Sequence, residues 1–244
     1  MRQTTTSLAL VVLALALAGS APADETVEQR QAMAHYQKGE ERLRDEKWEQ
    51  AAAEFQKAVT LRPAFVLAHY GLGQAQMGRR RYPEAVLAFT ASRDAFFKLA
   101  SLKAGDRMRA LDVSQRMQDE VKDLSGVDAR SGRSAGVNQR LNVLRDLEQL
   151  KRSEGGDPEP PAEISLALAG AWFRQGELEE AERENRNAIR AKSDYGQAHS
   201  NLAVICLMTG RVPEARAELE KAEKTGFAVN PNLKAELERR AAAQ

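Results

Sequence analysis

Trp48-Glu49-Gln50-Ala51-Ala52-Ala53-Glu54-Phe55 and Tyr82-Pro83-Glu84-Ala85-Val86-Leu87-Ala88-Phe89 carry one pattern, 34 residues apart. A bulky apolar residue stands three places before an alanine, and a phenylalanine stands four places after it. The pattern returns in weakened form around Ala181, with Leu178 before it, and Ala215, with Val212 before it, again 34 residues apart. Twelve places before each alanine the residue is small (Gly39, Gly73, Ala169, Ala203). Seven places after, it is small again (Ala58, Ser92, Ala188, Ala222). The fourth place after reads Phe55, Phe89, Asn185 and Leu219. Small residues at fixed offsets let two helices approach, and this period marks a stacked helix–turn–helix array. One such unit cannot bury its apolar face alone, so neighbours must stack into a continuous core.

Unit one, residues 32–65, keeps Gly39, Ala51-x-x-x-Phe55, Ala58 and Pro63; unit two, residues 66–99, keeps Leu72-Gly73, Tyr82 and Ala85-x-x-x-Phe89. Unit three, residues 162–195, keeps Leu168-Ala169, Gly176, Ala181 and Ala188; unit four, residues 196–230, keeps Leu202-Ala203, Gly210, Ala215 and Ala222. On these residues the sequence resembles the tetratricopeptide repeat (TPR) family. It departs where Phe97, Ser193 and Phe227 replace the Pro63 of unit one, and where Asn185 replaces an aromatic. The resemblance implies an all-α fold: a right-handed superhelix of TPR helix–turn–helix units, two pairs (24–99 and 162–230) separated by a helical hairpin insert.

Between Ala85 and Ala181 the spacing is not a multiple of 34, so the repeat breaks there. Asp94 to Leu124 reads as helix, interrupted at Gly105-Asp106, with Met108, Leu111, Met117, Val121 and Leu124 at helical spacing. Ser125 to Gly136 reads as a polar Gly/Ser-rich loop. Val137, Leu141, Leu144, Leu147 and Leu150 form a second stripe, so residues 100–161 are expected to hold a helical hairpin followed by a Gly/Pro linker. The hairpin is read either as a decayed repeat or as a packing insert. Pro161 suits the first turn of the helix after it. Residues 231–244 read as a capping helix with Leu233 and Leu237 on one side.

The N-terminal 23 residues are expected to be a secretory signal peptide. Arg2 gives a positive start, Leu8 to Ala18 is an apolar run too short to span a bilayer, and Ala21-Pro22-Ala23 fits a cleavage site. The product would be exported, periplasmic or secreted, with no stable membrane insertion after cleavage. Lys and Arg total 36 against 35 acidic residues in the full chain, and loss of Arg2 leaves the two in balance. That excludes the basic footprint of a nucleic-acid binder. The single cysteine, Cys206, lies in an apolar run and is expected to be buried packing.

His35, His69 and His199 occupy one slot, sixteen places before Ala51, Ala85 and Ala215. Equivalent slots on stacked helices lie about 8–10 Å apart, so interhelical packing and hydrogen bonding are expected rather than a metal site. No Gly-rich phosphate loop, HExxH, GxSxG or CxxC motif occurs. The glutamates around Glu177 to Glu184 interleave with Arg183 and Arg186 and read as a solvated face. No cofactor, metal or catalytic residue is expected.

By the resemblance, the first helix of each unit lines a concave groove. The inward positions would be Tyr36, Glu40 and Leu43; Tyr70, Gln74 and Met77; Leu166, Gly170 and Phe173; Ser200, Val204 and Leu207. Asn201 matches a slot from which related repeats contact a peptide backbone, since its amide both donates and accepts; it could equally bond a neighbouring helix. Tyr36, Gln37, Leu166 and Ala167 do not reproduce the charged ring that grips a carboxylate in some relatives. The expected protein- or peptide-binding residues are Tyr36, Tyr70, Gln74, Met77, Phe173 and Asn201. The expected function is an exported, non-catalytic scaffold for protein or peptide binding. The competing reading is a homo-oligomeric assembly factor joined through the central hairpin; an enzyme ranks third.

Overall fold

The structure, a computed structural model, describes residues 22–102, 105–106, 134–152 and 158–242. Among them run ten helices and no strand. They are α1 (Pro22–Arg44), α2 (Trp48–Leu61), α3 (Val66–Gly78), α4 (Tyr82–Ala100) and α5 (Ser134–Arg152). Then come α6 (Ala162–Gln175), α7 (Leu178–Ala191), α8 (Gly196–Met208), α9 (Val212–Lys224) and α10 (Pro231–Ala242). The four units are the hairpins α1/α2, α3/α4, α6/α7 and α8/α9. No helix of the described residues is long and apolar enough to cross a membrane.

The marker positions explain the hairpins atom by atom. A Cβ on Gly39 would stand 2.7 Å from Phe55 Cε1, and one on Gly73 would stand 2.5 Å from Phe89 Cδ1. The ring of the second helix therefore fills the space the first helix leaves empty. Units three and four hold larger Ala169 and Ala203 opposite smaller Asn185 and Leu219, all of them buried. The side chain on the second helix is smaller where the one on the first is larger, in keeping with close packing. Asn185 meets its polar need locally, donating from Nδ2 to Ala181 O at 2.8 Å.

The turn inside each hairpin repeats as well. Glu46, Arg80, Gly176 and Gly210, all five places before a marker alanine, have φ of 59°, 58°, 90° and 78°. A left-handed residue just past the first helix closes it by bonding its last carbonyls. In unit three the Gly176 amide donates to Phe173 O at 3.1 Å and Glu177 N–H to Trp172 O at 3.0 Å. Pro83 and Pro213 then sit in the first turn of α4 and α9, where a missing N–H costs nothing.

Stacking is continuous. α2 packs on α3, α7 on α8, and α4 packs directly on α6. The two pairs are thus interrupted in sequence, while in space the third unit follows the second. Polar ties cross each junction: Arg79–Glu49 at 2.6 Å, Arg93–Glu184 at 2.9 Å, and Arg211 Nη1 to Glu182 Oε1 at 3.0 Å. α10 lays Leu237 into the core of α8 and α9, and Arg240 Nη1 donates to Leu207 O at 2.9 Å. Cys206 is fully buried in that core, where desolvation pushes its thiol pKa up.

The boundaries differ from expectation in three places. α1 begins at Pro22, so the expected cleavage point after Ala23 falls in its first turn; the apolar run before it lies outside the described residues. Asp94 to Ala100 is the end of α4, not the start of a separate helix, and the stripe Met108–Leu124 lies outside the described residues. Ser134 to Gly136, expected in a loop, form the first turn of α5.

Candidate functional site

The first helices α1, α3 and α6 present the inward positions; α5 lies against α3 and α6 and reaches α1 through Arg140. Arg140 holds the contact. Its Nε lies 2.8 Å from Glu40 Oε2 on α1, and its Nη1 donates to Gln74 Oε1 on α3 at 3.0 Å. The two ionic side chains are 10% and 3% exposed, so this is a buried ion pair. The Tyr70 hydroxyl donates to Gln139 Oε1 at 3.3 Å, and Asn142 Nδ2 donates to Glu163 Oε1 on α6 at 2.8 Å. Val143, Leu144, Leu147 and Leu150 are buried and share one core with Tyr36, Tyr70, Ile164 and Leu168. The α5 stripe is spent within the chain.

Burial shapes the ionisation here. Desolvation pushes the Tyr70 phenol well above its ordinary value, keeping it a neutral donor. Asp146 on α5 is pushed up to about 6, first by burial and then by Glu163, against the pull of Arg145 and Lys192. Asp146, Arg145, Glu163 and Lys192 border a cleft of about 420 Å³ that also takes in Phe96, Pro160 and Ala162.

Placement of the expected groove residues divides by half. Tyr36 and Tyr70 are corrected from open wall to core. Tyr36 is wedged between Phe55 and Phe65 with ring centroids 5.8 and 5.1 Å away, and Tyr70 packs 5.4 Å from Phe89. Both are nearly inaccessible because aromatic packing and the overlying α5 close that face. Gln74 is partly exposed but engaged by Arg140, and Met77 packs partly against the same core. Glu40, Leu43, Leu166, Ser200 and Leu207 are buried. Phe173, Asn201 and Val204 stay partly exposed on α6 and α8. In front of Gly170 no atom lies within 4 Å of where a Cβ would stand.

Sequence reasoning passed over Gln139, Arg140, Asn142 and Glu163. The signal was present: Arg140 lies four and seven places before Leu144 and Leu147, a charge set on an apolar stripe. Glu40 is its counterpart, an acid at an inward position of unit one.

The histidines are tied into the stack. His35 Nδ1 lies 2.7 Å from Glu54 Oε2 and His199 Nδ1 lies 2.6 Å from Glu218 Oε2, the same slots of units one and four. Glu54 is held below its ordinary pKa by Lys57 first and His35 second. His69 Nε2 and His199 Nε2 each meet a carbonyl six places upstream, Pro63 O and Ser193 O. Desolvation lowers the His69 pKa.

The tetratricopeptide repeat profile matches residues 36–96 and 166–229, the four hairpins less their edges. The chain belongs to the tetratricopeptide repeat family. No curated protein matches it in sequence. Among solved structures it is similar to PilW, described as a widely conserved type IV pilus biogenesis factor. There the identity is 16%, the TM-score 0.41, and 91% of this chain and 88% of that one are covered. It is similar to YrrB, a TPR protein with an unusual peptide-binding site, at 18% identity and TM-score 0.28, covering 84% and 93%. A third likeness is to the APC/C hetero-tetramer Cut9–Hcn1, at 16% and 0.31, covering 86% of this chain and 43% of that one.

Proposed function

We propose that this TPR chain is an exported, non-catalytic scaffold that binds a protein or peptide along the inner wall of units three and four. The observation that carries this is the uncovered stretch of α6 and α8. Phe173, Val204 and Asn201 are partly exposed, and no atom lies within 4 Å of where a Cβ on Gly170 would stand. Phe173 supplies apolar area, and the Asn201 amide can satisfy both sides of a peptide bond. A wall of that kind takes an extended or amphipathic segment. Export is inferred from the Leu8–Ala18 run and the small residues after it.

The test is affinity capture from the envelope fraction with wild type and with Phe173→Ala plus Asn201→Ala. The double variant should lose its specific partner at least tenfold while keeping its helical spectrum. An unchanged set of partners would remove this wall. Mass spectrometry of the native protein should find Asp24 at the N-terminus; an intact Met1 would end the export reading. Self-association through the central hairpin is the weaker reading, because Leu144, Leu147 and Leu150 are already buried in the core they share with Tyr36, Tyr70 and Ile164 of the same chain.

A further inference from the structure

We propose that the cleft where α5, the linker before α6, the start of α6 and the end of α7 meet is a binding site for an alkylammonium group. Its ligand is a protonated amine on an aliphatic stem, carried by a free alkylamine or by a lysine side chain. The amine sits between Asp146 and Glu163, and the stem runs along Phe96, Leu150 and Pro160. This goes beyond the proposed function. None of the inward repeat positions lines the cleft, and the site stands whether or not Phe173 and Asn201 bind anything.

Three observations carry it. First, Glu163 is a buried acid that lines the cleft without a cation. It is 2% exposed, and its Oε1 accepts a hydrogen bond from the neutral Asn142 amide at 2.8 Å. Its Oε2 has no partner among the described residues, and no basic side chain there lies within ion-pair distance. Buried charges are ordinarily paired. Second, Asn142 and Asp146 stand four places apart on α5 and share one face, so a second carboxyl is turned to the same spot. Asp146 also lacks a cation at ion-pair distance. Burial raises the pKa of Asp146, Tyr70 and Tyr195, and the charge of Glu163 raises each of them further. The other charges of the cleft are spent or outside it: Arg190 takes Glu159 at 3.5 Å, Lys192 Nζ lies 5.0 Å from the Tyr195 ring centroid, and Arg145 is exposed. Third, the cleft has the size and the second wall that a stem needs. Its volume of about 420 Å³ suits a small-molecule site, and Phe96, Leu150 and Pro160 add apolar surface beside the acids. An ammonium there gains charge-assisted hydrogen bonds, and its stem buries apolar area. A neutral chain would leave Glu163 unpaired, and an anion would be repelled.

The experiment titrates the full chain calorimetrically with hexylamine, 1-hexanol, hexanoate and Nα-acetyl-lysine N-methylamide. Hexylamine should bind at least tenfold more tightly than hexanol or hexanoate; equal binding of either overturns the proposal. Asp146→Asn with Glu163→Gln keeps both side-chain shapes and should weaken hexylamine at least tenfold. Phe173→Ala with Asn201→Ala should leave hexylamine unchanged, and a loss there would move the amine to the inner wall and overturn this site. Between pH 7.5 and pH 5 wild type should lose at least threefold in hexylamine affinity. Asp146, raised to about 6 first by burial and then by Glu163, takes up a proton over that range while the amine keeps its charge. Asp146→Asn should remove that pH dependence. Binding of hexylamine alone assigns a free alkylamine, binding of the lysine derivative as well assigns a lysine side chain, and binding of neither overturns the proposal. Backbone NMR on wild type decides independently of any variant. Hexylamine should shift the amides of Asp146, Leu150 and Glu163 most, and largest shifts on α8 or α9 would overturn the site.

Discussion

Units one and two and units three and four share a backbone plan but solve its packing differently. The first pair uses glycine on one helix and phenylalanine on the other; the second uses alanine opposite asparagine or leucine. The first pair places Glu46 and Arg80 at the left-handed turn position, and the second places Gly176 and Gly210 there. In the first pair Tyr36 and Tyr70 are buried in the core that α5 shares, while in the second Phe173 and Asn201 stay partly open. A repeat fold therefore conserves turn geometry and a small residue against a larger one rather than residue identity. What covers its inner face is a separate choice.

Exchanging one solution for the other tests that lesson most directly. Gly73→Ala drives a methyl into the Phe89 ring and should cost about 1–3 kcal/mol in urea unfolding. Adding Phe89→Leu, which recreates the unit-four pairing of Ala203 with Leu219, should recover about 1 kcal/mol or more of the summed losses. Strict additivity would mean that the paired volumes are coincidence.

Acid should act on α5 and on unit three with opposite sign. Glu182, clasped by Arg211 first and Arg186 after, is lowered from 4.5 to about 2. Its folded pKa is depressed, so its stabilisation is complete above about pH 4.5 and is lost as pH falls toward 2. Discounted for its partly exposed setting, that is about 1 kcal/mol. Arg211→Ala should remove it. Asp146 is raised from 3.8 to about 6, so its contribution is complete below 3.8 and is lost as pH rises through 6. Hydrogen exchange should find α5 better protected at pH 5 than at pH 7.5, and Asp146→Asn should erase the difference. Equal protection of wild-type α5 at both values would refute the Asp146 assignment.

The smallest effect concerns the turns. Glu46→Gly places in unit one the residue that units three and four already use. It should raise stability by about 0.5–1 kcal/mol, because a side chain at φ 59° is strained. No gain in the thermal or urea midpoint would show that the strain is relieved locally.

The hairpins were legible in the sequence because their determinants are local and periodic. Four alanines with small residues at fixed distances fix which helix faces which, and Leu233 and Leu237 likewise announce the terminal helix. The seat of α5 was not legible. A stripe such as Leu141, Leu144, Leu147 and Leu150 states that one face is buried, yet carries no address for the surface it meets. That gap is why Tyr36 and Tyr70 read as open wall: their register is inward, and only the packed helix and neighbouring rings reveal that inward here means covered. The pairing of Arg140 with Glu40 spans a hundred residues, beyond any periodic signal. Phe173 and Asn201 were placed from register alone, and both stay partly exposed.

The direct seam between α4 and α6 has a consequence for how this chain can change over time. Phe96 and Ala162 line one cleft, so the polypeptide leaves the rod and rejoins it at neighbouring points. Each doubling of the length between them adds only about 0.6 kcal/mol of closure entropy. Such a junction behaves as a socket: a lineage can lengthen, trim or replace the excursion there while the rod on either side keeps its sequence.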